Sequence, residues 1–457
     1  MIRFLEQFIA AFFNRLRGQG REAWQERGSL DLGFRVVDGQ VTRQRVTLSN
    51  QRRTMHLAVL GKTGTGKSSF LRYLAQQDIA ANRGFLYFDL HGDATPFLLR
   101  TINTRERRER RHLSDRLVIV EPADPMVSVG LNPLEQQAMD FVRTAEFAQV
   151  LKERWHLDSF GARTDELLRN SLYVLAANGL TLVELAIFLT DAGFRAACLK
   201  RVDNTEIRQY FELRYDQASE PMRATMREPI LNKTSAFTAD PHFRHIVGQP
   251  STFSMKEAMD EGHWVIVNLE KGRLGEQALT LGSLILTVLK NALFTREKRS
   301  LFTVYCDEIQ NLIVFDSGLE TLLSEARKFG ASLVSANQFL DQYPPAMRSA
   351  LAAVGSHIYF QLSSSDAEKV AGTLDGGRTL GQELKNLPQR HLILKSGHER
   401  FVRAAVPEIS PPTDDAGDLL RRSLARWAKR RAEVEAQIQG RHQSMRVTTS
   451  EVLHDWE

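Results

Sequence analysis

Cysteine is almost absent: two, Cys198 and Cys306, occur in 457 residues. That excludes a disulfide framework, leaves no zinc-ligand spacing, and makes a reducing cytosol the expected compartment. Long apolar runs are missing as well. The opening stretch MIRFLEQFIAAFFNRLR is broken by Arg3, Glu6, Arg15 and Arg17. Its uncharged core is far shorter than the roughly 20 residues a bilayer crossing needs, and no small-residue cleavage site follows it. Leu5, Phe8, Ile9, Phe12 and Leu16 share one helical face, so residues 1–30 read as an amphipathic helix and linker. Protein packing is the expected use of that face, with the inner surface of the cell membrane as the alternative. Nor does one sign of charge dominate: the net charge of +5 is compatible with a nucleic-acid partner without requiring one. No internal repeat is present.

What remains is the composition of an ordinary soluble globular protein, 42% hydrophobic and 25% charged, in a chain too long for one ordinary domain. Asp38-Gly39 between two strand-like runs predicts a hairpin. The apolar strand HLAVLG, a glycine-rich turn, a helix from Lys67 to about Ala80 and the strand GFLYFDL then form a βαβ unit. LVIVE, WVIVNL, LFTVYC, ASLVSA and HIYFQ extend the sheet, and HLILK with RFVRAAV closes it as a hairpin. The expected fold class is therefore α/β with a central, mainly parallel sheet. It is divided into 31–135 and 242–410 as the sheet domain and 136–241 as an all-helical insertion. Residues 411–457 read as one basic helix, Asp415 to about Gln439, and a polar tail.

Gly61, Lys62, Thr63, Gly64, Thr65, Gly66, Lys67 and Ser68 spell G-x-x-x-x-G-K-[ST], with Ser69 next. The glycines let the backbone wrap a phosphate with N–H groups pointing inward, and the following helix adds its positive N-terminal end. In that setting Lys67 reaches the β- and γ-phosphates of ATP and the Ser68 hydroxyl binds Mg²⁺. A phosphate loop also needs acids at the end of a nearby strand. Asp307 after LFTVYC supplies the metal-binding carboxylate, and Glu308 the one that polarises the attacking water. Gln338, at the tip of the adjacent strand, is the candidate γ-phosphate sensor, with a plain turn amide as its bland alternative.

The run DEIQNLI and then LLSEARKFGASLVSANQFLDQ resembles the conjugative coupling ATPases of type IV secretion systems, in the HerA/FtsK branch of DNA-pumping motors. DLHGD, GLNPLE, NKTSAF and KGRLGEQALTLGSL fit the same branch, over about residues 50–405. The resemblance implies a RecA-like motor with a helical insertion, assembling as a homo-hexamer around DNA, with ATP completed by a basic residue from the neighbouring subunit. Arg327 is the candidate for that contact, with Lys328, Arg163 and Arg227 as competitors. It also implies partners: a relaxase and secretion-channel components for conjugation, or a nuclease for a HerA-type pump in repair or phage defence. A non-translocating, ATP-switched scaffold is the alternative of another class. Two departures stand out. Membrane-bound coupling proteins begin with transmembrane helices, and His357 stands where relatives often carry a basic residue. The basic candidates for DNA contact are Arg105 to Arg116 and the C-terminal helix with Arg421, Arg422, Arg426, Lys429, Arg430 and Arg431.

Overall fold

The computed structural model of the protein describes residues 28–135, 141–157, 161–313, 322–343 and 345–454; the amphipathic N-terminal helix expected from the sequence lies outside the described residues. The hairpin forms first, from β1 (Ser29–Val37) and β2 (Gln40–Ser49). Asp38 and Gly39 both have positive φ, 49° and 77°, the conformation a two-residue hairpin turn needs to match strand twist. Then come β3 (Leu57–Leu60), α1 (Lys67–Ala80), β4 (Gly84–Asp89), α2 (Ala94–Glu109), β5 (Leu117–Val120) and β6 (Val127–Val129). A helical stretch follows, with α3 (Phe141–Arg154), α4 (Ala162–Ala177) and α5 (Glu220–Thr238) as its longest members. The sheet resumes through β7 (Trp264–Asn268), α6 (Glu276–Leu293), β8 (Phe302–Asp307), β9 (Ala331–Asn337), β10 (Ser356–Tyr359), β11 (His391–Ser396) and β12 (Val402–Ala405).

Eleven strands make one sheet in the order β2-β1-β12-β11-β10-β3-β9-β8-β4-β7-β5. From β10 to β5 every neighbour is parallel. From β2 to β10 every neighbour is antiparallel. Every residue of β4, β5, β7 and β9 is buried, which is why these strands read as unbroken apolar runs rather than alternating ones. Alternate side chains still go to opposite faces. Phe85, Tyr87, Ile119 and Tyr305 pack against Phe70, Leu71 and Leu74 of α1 and Leu98 of α2. Leu86, Phe88, Val118 and Val304 face Leu281, Leu284 and Ile285 of α6, and that cluster runs on into Leu167, Phe188, Phe211 and Phe237 of the helical stretch. The helices between β6 and β7 therefore share their core with one face of the sheet.

The C-terminal segment departs from the single basic helix read in the sequence. It is two helices, α7 (Gly417–Trp427) and α8 (Arg431–His454), separated by the strand β13 (Ala428–Arg430). Ala428, Lys429 and Arg430 pair antiparallel with Val129, Ser128 and Val127, capping the exposed backbone edge of β6 where a continuous helix would leave it unpaired. Leu419, Val434 and Ile438 are buried. The apolar stripe of this segment thus packs on the body, and α8 runs to His454 through the part expected to be a polar tail.

Candidate functional site

The polar groups singled out in the sequence converge at the C-terminal end of the parallel strands, where helices begin and backbone N–H groups point outward. Here β3 ends and the loop to α1 turns tightly. Gly61 has no room for a side chain: a Cβ there would lie 2.6 Å from Phe360 Cβ. Gly66 sits at φ 109°, a region costly for any residue with a Cβ. The loop is pinned to its neighbouring strands by Gly61 N–H to Asn337 O at 3.1 Å and Lys62 N–H to Gln361 O at 2.8 Å. Within it, Thr65 Oγ1 donates to Lys62 O at 2.8 Å. Lys67 Nζ donates to Gly61 O at 2.5 Å and Lys62 O at 2.9 Å, which places an ammonium inside the loop. Burial lowers the pKa of Lys67, opposed by the charges of Asp307 and Glu308. Ser69 accepts a hydrogen bond from Arg72 at 3.3 Å.

Asp307 and Glu308 leave the end of β8 beside this loop. The Ser68 hydroxyl donates to Asp307 Oδ2 at 2.6 Å. Burial raises the pKa of Asp307, while the Ser68 bond and the Lys67 charge oppose that shift. A hydroxyl and a carboxylate oxygen in contact are hard donors of the type Mg²⁺ takes when nucleotide phosphates and water complete its shell. Glu308 has a left-handed backbone, φ 58° and ψ 47°, which costs a non-glycine residue on the order of 1–3 kcal/mol. Its N–H is held by Ala336 O at 2.7 Å. Both carboxylate oxygens are held by side-chain amides: Gln338 Nε2 donates to Oε1 at 2.5 Å and Asn311 Nδ2 to Oε2 at 3.0 Å. Gln338 in turn accepts from Thr63 Oγ1 at 2.9 Å. One amide thus bridges the phosphate loop and the acid. The set offers a phosphate cradle, an ammonium, a hard-metal site and a carboxylate base.

Two further groups at this site carry no motif. Gln389 Nε2 donates to Gly64 O at 2.9 Å, and Arg390 N–H donates to Thr65 O at 2.9 Å. Arg390 has φ 63° and pairs with Glu408 at 3.1 Å. These residues sit just before β11, some 325 positions from the loop they touch, and no local pattern marks them. Asn311, by contrast, had a readable signal in its spacing three residues after Glu308.

The structure keeps other candidates apart from the loop. Arg327 is exposed before the start of β9, at the opposite end of a seven-residue strand from Gln338, roughly 20 Å away at about 3.3 Å per residue. Lys328 pairs with Glu325 at 2.7 Å and Arg227 with Glu220 at 2.6 Å; Arg163 lies against Met222 Sδ at 3.2 Å. His357 Nε2 donates to Leu351 O at 3.0 Å, and burial lowers its pKa. In the Arg105 to Arg116 stretch, Arg105 pairs with Glu109 and Arg116 bonds Asn82 and Gly262. These two arginines are engaged within the chain.

Comparison with known proteins gives a family and a fold. A family model described as the central domain of the helicase HerA matches residues 35–287. No curated protein matches the chain by sequence. Among solved structures, the unbound bacterial conjugative coupling protein TrwB is 18% identical with a TM-score of 0.59, covering 87% of this chain and 94% of that one. TrwB in complex with ADP and Mg²⁺ also scores 0.59 at 18% identity, covering 85% of this chain and 97% of its own. VirB4 of Thermoanaerobacter pseudethanolicus scores 0.56 at 13% identity, covering 85% and 99%. The likeness to these structures is one of fold: a RecA-like P-loop NTPase sheet with helices on both faces.

Proposed function

Because this chain belongs to the family of the HerA helicase central domain, we propose that it is an ATP-driven, ring-forming DNA translocase, the coupling ATPase of a conjugative type IV secretion system. The observation that carries this reading is the bridge Thr63–Gln338–Glu308 beside the Ser68–Asp307 contact. It links a phosphate loop to a carboxylate base, which a protein that only binds nucleotide has no need of. TrwB has been solved with a non-hydrolysable ATP analogue and with ADP and Mg²⁺, and its fold covers most of this chain, which supports ATP and Mg²⁺ as the ligands here.

In this reading the N–H groups of Gly61 to Ser68 wrap the phosphates and Lys67 neutralises the β- and γ-oxygens. Ser68 and Asp307 would hold Mg²⁺, which would supply further neutralisation of phosphate charge. Glu308 accepts a proton from water as the water oxygen bonds to the γ-phosphorus. The bond from that phosphorus to the ADP oxygen breaks, giving ADP and inorganic phosphate. Gln338 orients Glu308 and reports the γ-phosphate. Arg327 lies too far from its own loop to take part, which fits a role in the neighbouring subunit's site. In this reading the sheet of 31–135 and 242–410 is the motor, 136–241 the helical insertion, and 411–457 a basic C-terminal segment.

A second reading, a HerA-type pump working with a nuclease in repair or defence, is favoured by the family model itself. Among the described residues no helix is long and apolar enough to cross a membrane. A relaxase and channel genes beside this one support conjugation; a nuclease gene supports the second reading. Mass measurement with an ATP analogue and DNA tests the ring. Six subunits are expected, and a monomer under all conditions overturns ring formation.

A further inference from the structure

Glu308 is reached from a direction the nucleotide site does not explain. Asn311, whose amide holds Glu308 Oε2 at 3.0 Å, closes the short turn Ile309–Asn311. That turn is fastened from the helical stretch. Arg154, the last residue of α3, donates through Nη2 to Asn311 O. Its Nε donates to Ser283 Oγ at 2.8 Å, and Ser283 donates to Leu312 O at 2.6 Å. One guanidinium therefore fixes two successive carbonyls, one directly and one through a hydroxyl of α6. Desolvating a guanidinium is costly, and burial pushes the pKa of Arg154 down to about 10, so it stays charged at neutral pH. Its bonds go to a carbonyl and a hydroxyl, so its charge is directed at the position of this turn. A cleft of about 700 Å³ opens beside it, lined by Arg154, His156, Lys233, Glu276, Gln277 and Ile313.

We propose that Asn311 is a positioning residue for Glu308 and that Arg154 sets it, so that the placement of the helical insertion controls ATP hydrolysis. The proposal rests on the reading of Glu308 as the base. Asn311 touches neither phosphate loop nor metal site; it acts through the carboxylate it holds. A shift of α3 over α6 draws on Asn311 O and turns the amide away from Glu308.

The test uses the full chain with Mg²⁺-ATP. Wild-type turnover that is abolished by Glu308→Gln establishes the reading on which the proposal stands; without it that reading fails, whatever Asn311 does. Given that result, Asn311→Asp keeps the size and the acceptor oxygen but loses the donor. It is expected to lower kcat about tenfold to a hundredfold, the scale of a misplaced catalytic group, with KM for ATP within about twofold. Asn311→Ala should match it. Arg154→Ala is expected to lower kcat similarly, Arg154→Lys to restore part of the rate, and the double variant with Asn311→Ala to be no slower than the worse single. Wild-type kcat in Asn311→Asp, a rise in kcat, or multiplicative losses in the double variant would overturn the proposal. Should Arg154→Ala fail to fold, Arg154→Met, which keeps the packed stem without the donors, takes its place, and a wild-type kcat in that variant overturns the role given to Arg154.

Discussion

The two ends of the parallel sheet each carry an aspartate in a polar cluster, and physics treats them in opposite ways. At the N-terminal end, Asp78 of α1 is fully buried with Arg53. Arg53 Nη1 donates to Asp78 Oδ1 at 2.7 Å and Nη2 to Thr303 Oγ1 at 2.6 Å and Tyr305 Oη at 2.8 Å. Arg83 adds a bond to Asp78 at 2.9 Å and Tyr305 another at 2.7 Å. Burial pushes the Asp78 pKa up, but the two guanidinium groups outweigh it and hold it below the usual range. At the C-terminal end Asp307 has the Ser68 hydroxyl and the charges of Lys67 and His91 beside it, and burial still leaves its pKa raised. One cluster sets two guanidinium groups against a single carboxylate. The other sets one ammonium, Lys67, against two carboxylates, Asp307 and Glu308.

The largest expected effects break the C-terminal cluster. Lys67→Ala and Glu308→Gln should each lower ATP turnover by about 10²-fold or more, the scale of a lost acid–base group or phosphate contact. Glu308→Gln should still bind ATP analogue, and its thermal midpoint should stay near wild type. Retained hydrolysis in Glu308→Gln would reassign the base.

Breaking the other end should cost stability in place of chemistry. Asp78→Asn leaves Arg53 buried without its countercharge, a change worth about 3–5 kcal/mol, read as a lower denaturant midpoint. The protein that remains folded should bind ATP analogue normally. The pH dependence follows from the sign of the shift. A carboxyl depressed in the folded state stabilises above its unfolded value, near 4, and that contribution is lost as pH falls through the lower folded value. Acid should therefore destabilise wild type more than Asp78→Asn over that window. Equal acid sensitivity would remove Asp78 from the account.

The smallest effect sharpens the boundary of the site. Gln389→Ala removes one neutral hydrogen bond to Gly64 O, about 0.5–1.5 kcal/mol. It should raise KM for ATP about two- to fivefold with kcat unchanged; an unchanged KM would place this loop outside the site.

The contrast between the two ends also explains what could be read in advance. A strand, a glycine turn and a helix have local signatures, so the loop from Gly61 to Ser68 stood out. Asp307, Glu308 and Gln338 stood out because parallel strands deliver their C-terminal residues to one edge, where such chemistry collects. Arg53 and Asp78 look like ordinary surface charges in sequence, because nothing local reports that a 25-residue separation closes into a buried pair. Gln389 and Arg390 were hidden for the same reason at longer range. β13 was hidden differently: three residues inside a basic run of helical periodicity became a strand only because β6 offered an unpaired edge. Local pattern is legible; contacts made by folding are not.

The most direct test of the motor is the steady-state ATPase rate of assembled protein with and without DNA. Double-stranded DNA should raise the rate several-fold in wild type and leave Glu308→Gln inactive. A wild-type rate indifferent to DNA in the assembled protein would contradict the translocase account.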